Sequence, residues 1–132
     1  MKIHLPTLLI GFAVIIVIDI LGSMASKQMN FNYSYLSPIS YVVYTAIPFF
    51  ISKRDGRKPA VVAGAFLGLF DVTVGLKISM ILQANTGDYD MNSMILPVYI
   101  FTVIVMILMG SLFGLLGYWL STKISTNRQT KS

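Results

Sequence analysis

Four long blocks almost free of charge occupy most of the chain: residues 5–25, 36–52, 59–83 and 94–121. An α-helix rises about 1.5 Å per residue, so about 20 mostly apolar residues cross the hydrocarbon core of a bilayer. The second block is the shortest, and the last is long enough to tilt or to end in the interface. A segment in lipid finds no water for its N–H and C=O groups, so each block must satisfy its own backbone as a helix. No room is left for a soluble domain in 132 residues. Composition agrees, since 55% of the residues are hydrophobic and 11% charged, whereas a soluble domain carries about 25% charged residues. The expected fold is an all-α membrane protein, a compact bundle of four transmembrane helices. Residues 1–122 form the membrane domain and 123–132 a polar tail expected to be disordered.

The formal net charge of +5 is unevenly placed. Lys53, Arg54, Arg57 and Lys58 fill the middle loop, "KRDGRK"; Lys2 precedes the first block, and Lys123, Arg128 and Lys131 follow the last. The other two loops, "KQMNFNYSY" and "QANTGDYDMNS", hold one cation, Lys27, with Asp88 and Asp90. Cytoplasmic loops carry the excess of Lys and Arg, so both termini and the middle loop are expected in the cytoplasm. The basic excess is thus a topology signal of a multi-pass inner-membrane protein, not a nucleic-acid surface. "MKIH" before an apolar run, with "SMA" at Ser23 to Ala25, has the outline of a signal peptide. Asp19 and the length of the run weigh against cleavage, which would leave three spans in the same orientation. The chain has no cysteine, which excludes disulfides and thiolate chemistry.

Pro38 and Pro59 suit the first turns of the second and third helices, where a missing N–H costs little. Pro48 lies inside the second and is expected to kink or end it. Phe31, Tyr33 and Tyr35 at one interface, and Phe49, Phe50, Tyr118 and Trp119 at the other, read as an anchoring belt. "DILG" in the first helix and "DVTVG" in the third echo each other, as two helical hairpins related by an axis along the membrane normal would.

On a helical wheel, Ala60, Gly64, Gly68, Asp71 and Gly75 fall within about 80° of one another. This small-residue stripe, with a GxxxG step at Gly64 and Gly68, lets another helix approach closely. The fourth helix has its own step at Gly110 and Gly114, with Gly117 one turn on. Gly11, Asp19, Gly22 and Ser26 make a looser version on the first. These faces predict tight packing, within the chain or between copies.

Asp71 sits mid-span on the glycine stripe, where an ionised side chain costs at least about 2.5–3.5 kcal/mol. It must be paired, hydrated or protonated. Lys77 points nearly opposite Asp71 and lies about 9 Å nearer the outer face, where it can snorkel. Asp19 lies about 6 Å outward of the middle of its helix, close to the depth of Lys77. Two arrangements follow: an Asp19–Lys77 ion pair that leaves Asp71 unexplained, or Asp19 beside Asp71, sharing a proton or binding a cation.

"DILGSMASK" resembles the first helix of the small multidrug resistance transporters. Those four-helix proteins carry a membrane carboxylate, then Gly, Thr or Ser, and a Lys at the helix exit. Asp19, Gly22, Ser23 and Lys27 match that order over about nine residues, with Asp in place of the family's Glu. The whole-chain pattern, with "LSPISYVVY", a basic loop and "GLFDVTVGLKIS", resembles small bacterial membrane proteins of no assigned activity. Enzyme chemistry is not expected: His4, the one histidine, stands beside the N-terminus, far from any intramembrane serine. There is no His/Cys cluster for a metal and no phosphate-cradling loop, so no cofactor is expected. The leading expectation is a structural or accessory membrane component with the lipid bilayer, a second copy or a partner subunit as its contacts. The alternative is a small proton- or cation-coupled transporter using Asp71 and Asp19.

Overall fold

The computed structural model describes residues 3–87 and 95–129, and all of its long segments are helical. Helix α1 (Leu5–Met29) opens with Pro6 in its first turn and stops at Asn30, which takes the left-handed conformation at φ 53°. A 3-10 turn, Tyr33–Leu36, leads into α2 (Ser37–Asp55), with Asn32 accepting a cap bond from Ser34 N at 2.9 Å. Gly56, at φ 86°, makes the one-residue break between α2 and α3 (Arg57–Phe70); a side chain there would be strained. A π-helical stretch, Asp71–Gly75, joins α3 to the short α4 (Leu76–Ile81). Helix α5 (Leu96–Gln129) completes the bundle.

Four helical stretches are long and apolar enough to cross a membrane: Leu5–Met29, Tyr33–Asp55, Arg57–Ile81 and Leu96–Thr126. They correspond one to one with the four blocks of the sequence, and the protein is an all-α four-helix bundle in contact with lipid. Of the two alternatives for Pro48, ending α2 is not the one found, since the helix runs on to Asp55. One expectation needs correction. The polar tail is helical as far as Gln129, because α5 continues beyond the apolar block. Lys2, Asp88, Asp90, Met94 and Lys131 lie outside the described residues.

The closest packing is between α3 and α5, and glycine makes it. A methyl on Gly64 would overlap the Gly110 carbonyl oxygen and stand 3.0 Å from Gly114 Cα. One on Gly68 would overlap the carbonyl of Met106, and one on Gly117 the carbonyl of Thr45 in α2. The two GxxxG steps therefore meet each other inside one chain. On α1, by contrast, Gly11 faces the side chains of Leu67 and Ile47, and Gly22 faces Leu36 and Tyr33. The two hairpins are not packed alike, despite the echo in their sequences.

Around these contacts lies a core of Leu8 and Ile15 from α1, Val43, Tyr44, Ile47 and Ile51 from α2, and Ala63 and Leu67 from α3. Phe12 stacks on Phe70 at 4.3 Å between centroids, and Tyr41 on Phe113 at 4.8 Å. The outer face of α5 (Ile100, Phe101, Ile104, Leu108, Leu112 and Leu116) is left for lipid.

The two ends of the bundle differ chemically. At one, His4 N donates to Asp55 Oδ2 at 3.0 Å, and Arg54 Nη1 meets His4 Nε2 at 2.5 Å. Lys53 lies over the Phe49 ring and Lys123 over Trp119, with Arg57 and Lys58 exposed nearby in sequence. At the other end Lys27 is the one charged loop residue among the described residues, with Asp88 and Asp90 following in sequence: Tyr33 N donates to Asn85 O at 2.7 Å, and Lys27 Nζ to Gln83 Oε1 at 2.9 Å. The cations named by the sequence for the middle loop thus share one end with the start of α1.

Candidate functional site

The site begins with a local irregularity. In "DVTVG", three successive β-branched residues follow Asp71, and such side chains crowd the preceding helical turn. Thr73 Oγ1 donates back to Leu69 O at 2.7 Å and to Phe70 O at 3.2 Å, competing with the regular ladder. The backbone widens there into one π-helical turn, a feature found frequently at functional sites. Asp71 opens this turn and Gly75 closes it.

Both intramembrane aspartates converge on Gly75. A methyl group at Gly75 would overlap Asp19 Oδ2, and Asp71 Oδ1 lies against the same spot. Asp19 is only 1% exposed. Its Oδ1 accepts from Tyr33 Oη at 2.6 Å, whereas its Oδ2 is buried without a hydrogen-bond partner. Asp71 is half-buried; its Oδ2 accepts from the Tyr44 hydroxyl, and Ser40 stands beside it. Each carboxylate therefore rests on a tyrosine hydroxyl, a neutral donor.

Lys77 is not part of this arrangement. Its side chain is exposed, and among the described residues it forms no ion pair with either aspartate. Of the three charges singled out in the sequence, the structure brings two together and sends the third to the surface. The second of the two sequence arrangements, Asp19 beside Asp71, is the one realised.

Buried serines continue from the dyad toward the loop end that holds Asn85. Ser79 Oγ donates to Gly75 O at 3.1 Å and accepts from Ser23 Oγ at 3.2 Å. Ser26 Oγ donates to Ser23 O at 3.2 Å and accepts from Asn85 N at 3.0 Å in the loop. Beside them runs a cavity of about 370 Å³. Asp71, Ser40, Tyr41, Gly75 and Ser79 line its inner part, with Thr102 and Met106 from α5, and Asn32, Ser34 and Thr86 line the part at the loops. Asp71 is on the wall of this cavity and Asp19 is not.

Tyr33 and Tyr44 are the side chains of this candidate site that the sequence did not single out for it. Tyr33 reads from sequence as one of an aromatic belt; in the structure it reaches inward to Asp19. Tyr44 carried a usable signal, since it lies mid-span one turn from Ser40 and one from Pro48 on the buried face of α2. A hydroxyl in that position needs an acceptor from a neighbouring helix.

Among the described residues no group of three His, Cys, Asp or Glu side chains could hold a metal ion. The donor set is two carboxylates, two phenols and several hydroxyls, all hard oxygen donors, which suit protons and hard cations rather than soft, thiolate-seeking metals. Comparisons with family models, curated proteins and solved structures give no match. The resemblance of α1 to the small multidrug resistance transporters accordingly stays a resemblance of nine residues.

Proposed function

We propose that this small polytopic membrane protein is a transporter that binds a proton or a small cation at Asp71 and moves it across the membrane, with Asp19 as the inner carboxylate. The observation that carries the reading is the place of Asp71 on the wall of a cavity of about 370 Å³ reaching the loops at Asn32 and Thr86. A carboxylate kept only for packing would be sealed among helices and matched by a cation of the protein itself. Asp71 has neither feature: its partners, Tyr44 and Ser40, are neutral. Its charge is left for something that enters the cavity to balance.

The basic end sets the direction. With Lys53, Arg54, Arg57 and Lys58 held in the cytoplasm by the positive-inside rule, the cavity opens away from it, in an inner membrane. The reading is not enzymatic: the serines at the site bond to one another and to backbone, with no histidine beside them.

The other reading is a structural or accessory component acting by packing or association, and its association form needs small-residue faces free to meet a partner. Gly64, Gly68, Gly110 and Gly114 are spent on the α3–α5 contact inside the chain, which favours transport over association.

The test is flux. Purified protein in liposomes is expected to carry protons or a monovalent cation, and Asp71→Asn to abolish the flux while the protein stays folded. Wild-type flux equal to that of empty liposomes, across several monovalent cations and pH gradients, sinks the reading.

A further inference from the structure

We propose that Asp19 and Asp71 act as one proton site, holding a single proton between them across the space left by Gly75. The proposal deepens the reading of Asp71 as the ion-binding carboxylate, but its test does not depend on flux.

Three observations carry it. The first is the orphan oxygen: Asp19 Oδ2 has no partner, although the residue is almost fully buried. A bare carboxylate oxygen in a dry interior forfeits its hydration with nothing in return, which nature rarely leaves uncorrected. The second is what faces it. Asp19 Oδ2 and Asp71 Oδ1 both lie against the position that a Gly75 side chain would take, so the two carboxyls face one small space from opposite helices. Two ionised carboxylates side by side repel, and one proton between them turns the repulsion into a hydrogen bond. The third is that no rival counter-charge faces the pair among the described residues. The titratable groups packed around the pair are Tyr33 from the 3-10 turn and Tyr41 and Tyr44 from α2, all neutral donors. Helix α5 offers Thr102 and Met106, and Lys77 on α4 is exposed. Each tyrosine bonds the oxygen on the far side of its carboxylate: Tyr33 takes Asp19 Oδ1 and Tyr44 takes Asp71 Oδ2. The orphan oxygen of Asp19 and Asp71 Oδ1 are thus the pair turned to the space at Gly75.

The two carboxyls differ in access. Asp71 lines the cavity, so the proton leaves and returns through Asp71 to water there, while Asp19 holds it from behind. Loss of the proton takes the pair from a charge of −1 to −2. A monovalent cation taking its place restores the balance, giving one-for-one exchange at a single site.

Infrared spectroscopy of the full protein in lipid, with and without isotope label on the aspartate carboxyls, tests this at neutral pH. One carboxylic-acid band is expected in the wild type. Asp19→Asn and Asp71→Asn are each expected to remove or shift that band, since a shared proton depends on both members. Tyr33→Phe, a milder change, is expected to shift it while leaving the fold intact. Three results overturn the proposal: no acid band, which means both carboxyls are ionised; two acid bands, which means each has its own proton; or one band that either aspartate substitution leaves unmoved. A single band responding to both substitutions, in a protein that moves no ion, leaves the proton site standing and removes the transport reading. Flux without the band does the reverse.

Discussion

Gly64 and Gly110 touch backbone to backbone: a side-chain carbon on either would overlap the carbonyl oxygen of the other. The obstacle is main chain on both sides, so neither helix can yield by turning a side chain away. Gly64→Ala and Gly110→Ala are each expected to destabilise the fold by about 1–3 kcal/mol, the range for overpacking. The double substitution should cost less than the sum, because the first already separates the helices. Unfolding in mixed detergent measures all three. Additive losses would show that the two glycines do not share one contact.

Tyr33→Phe removes the donor to Asp19 Oδ1 and leaves that buried oxygen without a partner. A buried acceptor stripped of its donor costs about 1–3 kcal/mol. Tyr35, exposed and two residues on, serves as the control: Tyr35→Phe should fall within about 0.5 kcal/mol of wild type. Equal stability of the two variants would mean that Tyr33 is only an interfacial anchor.

Much of this fold is legible in the sequence, because lipid makes the rules severe. A block such as residues 5–25 has one way to satisfy its backbone, and the GxxxG steps on α3 and α5 have few residues other than each other to approach so closely. The charges were harder to place. Depth along the membrane made Asp19 and Lys77 plausible partners, but depth says nothing of which face a residue presents or which helix stands beside it. The π-helical turn at Asp71–Gly75 lies within the very segment whose wheel would have to be trusted. The tyrosines were missed because a tyrosine near an interface has a bland explanation ready, whereas hydrogen-bonding to Asp19 depends on how the loop folds back.

Lys77 gives the sharpest separation between the sequence expectation and the structure. As the partner of Asp19, its replacement by methionine would strand a buried carboxylate and cost several kcal/mol. As an exposed residue on α4, it should change stability by no more than about 0.5 kcal/mol. Lys77→Met is expected to unfold with wild-type protein and to leave the infrared acid band in place.

At the opposite end, Ser52 Oγ and Ser121 Oγ lie 2.6 Å apart and join α2 to α5, both buried. Hydrogen bonds between helices in membrane proteins average about 0.6 kcal/mol, because the separated helices also find partners. Here each hydroxyl already has a local carbonyl, that of Phe49 at 2.8 Å for Ser52 and that of Tyr118 at 2.7 Å for Ser121. Ser52→Ala and Ser121→Ala are therefore expected to cost less than about 1 kcal/mol each. A larger loss in mixed-detergent unfolding would make this pair a principal clamp of the basic end.

Asp19 offers the last and most informative substitution, because its two oxygens have different needs. Asparagine keeps an oxygen to accept from Tyr33 and places an N–H₂ group where the orphan oxygen stood, able to donate to Asp71. It also removes one of two carboxyls from a dry interior. Asp19→Asn is therefore expected to be at least as stable as wild type. Leucine fills a similar space but leaves the Tyr33 hydroxyl without its acceptor, and Asp19→Leu should lose about 1–3 kcal/mol relative to asparagine. Unfolding of the three proteins in one lipid–detergent mixture decides it. If asparagine is as damaging as leucine, the ionised carboxylate itself holds this part of the bundle together, and a counter-charge beside it must be sought.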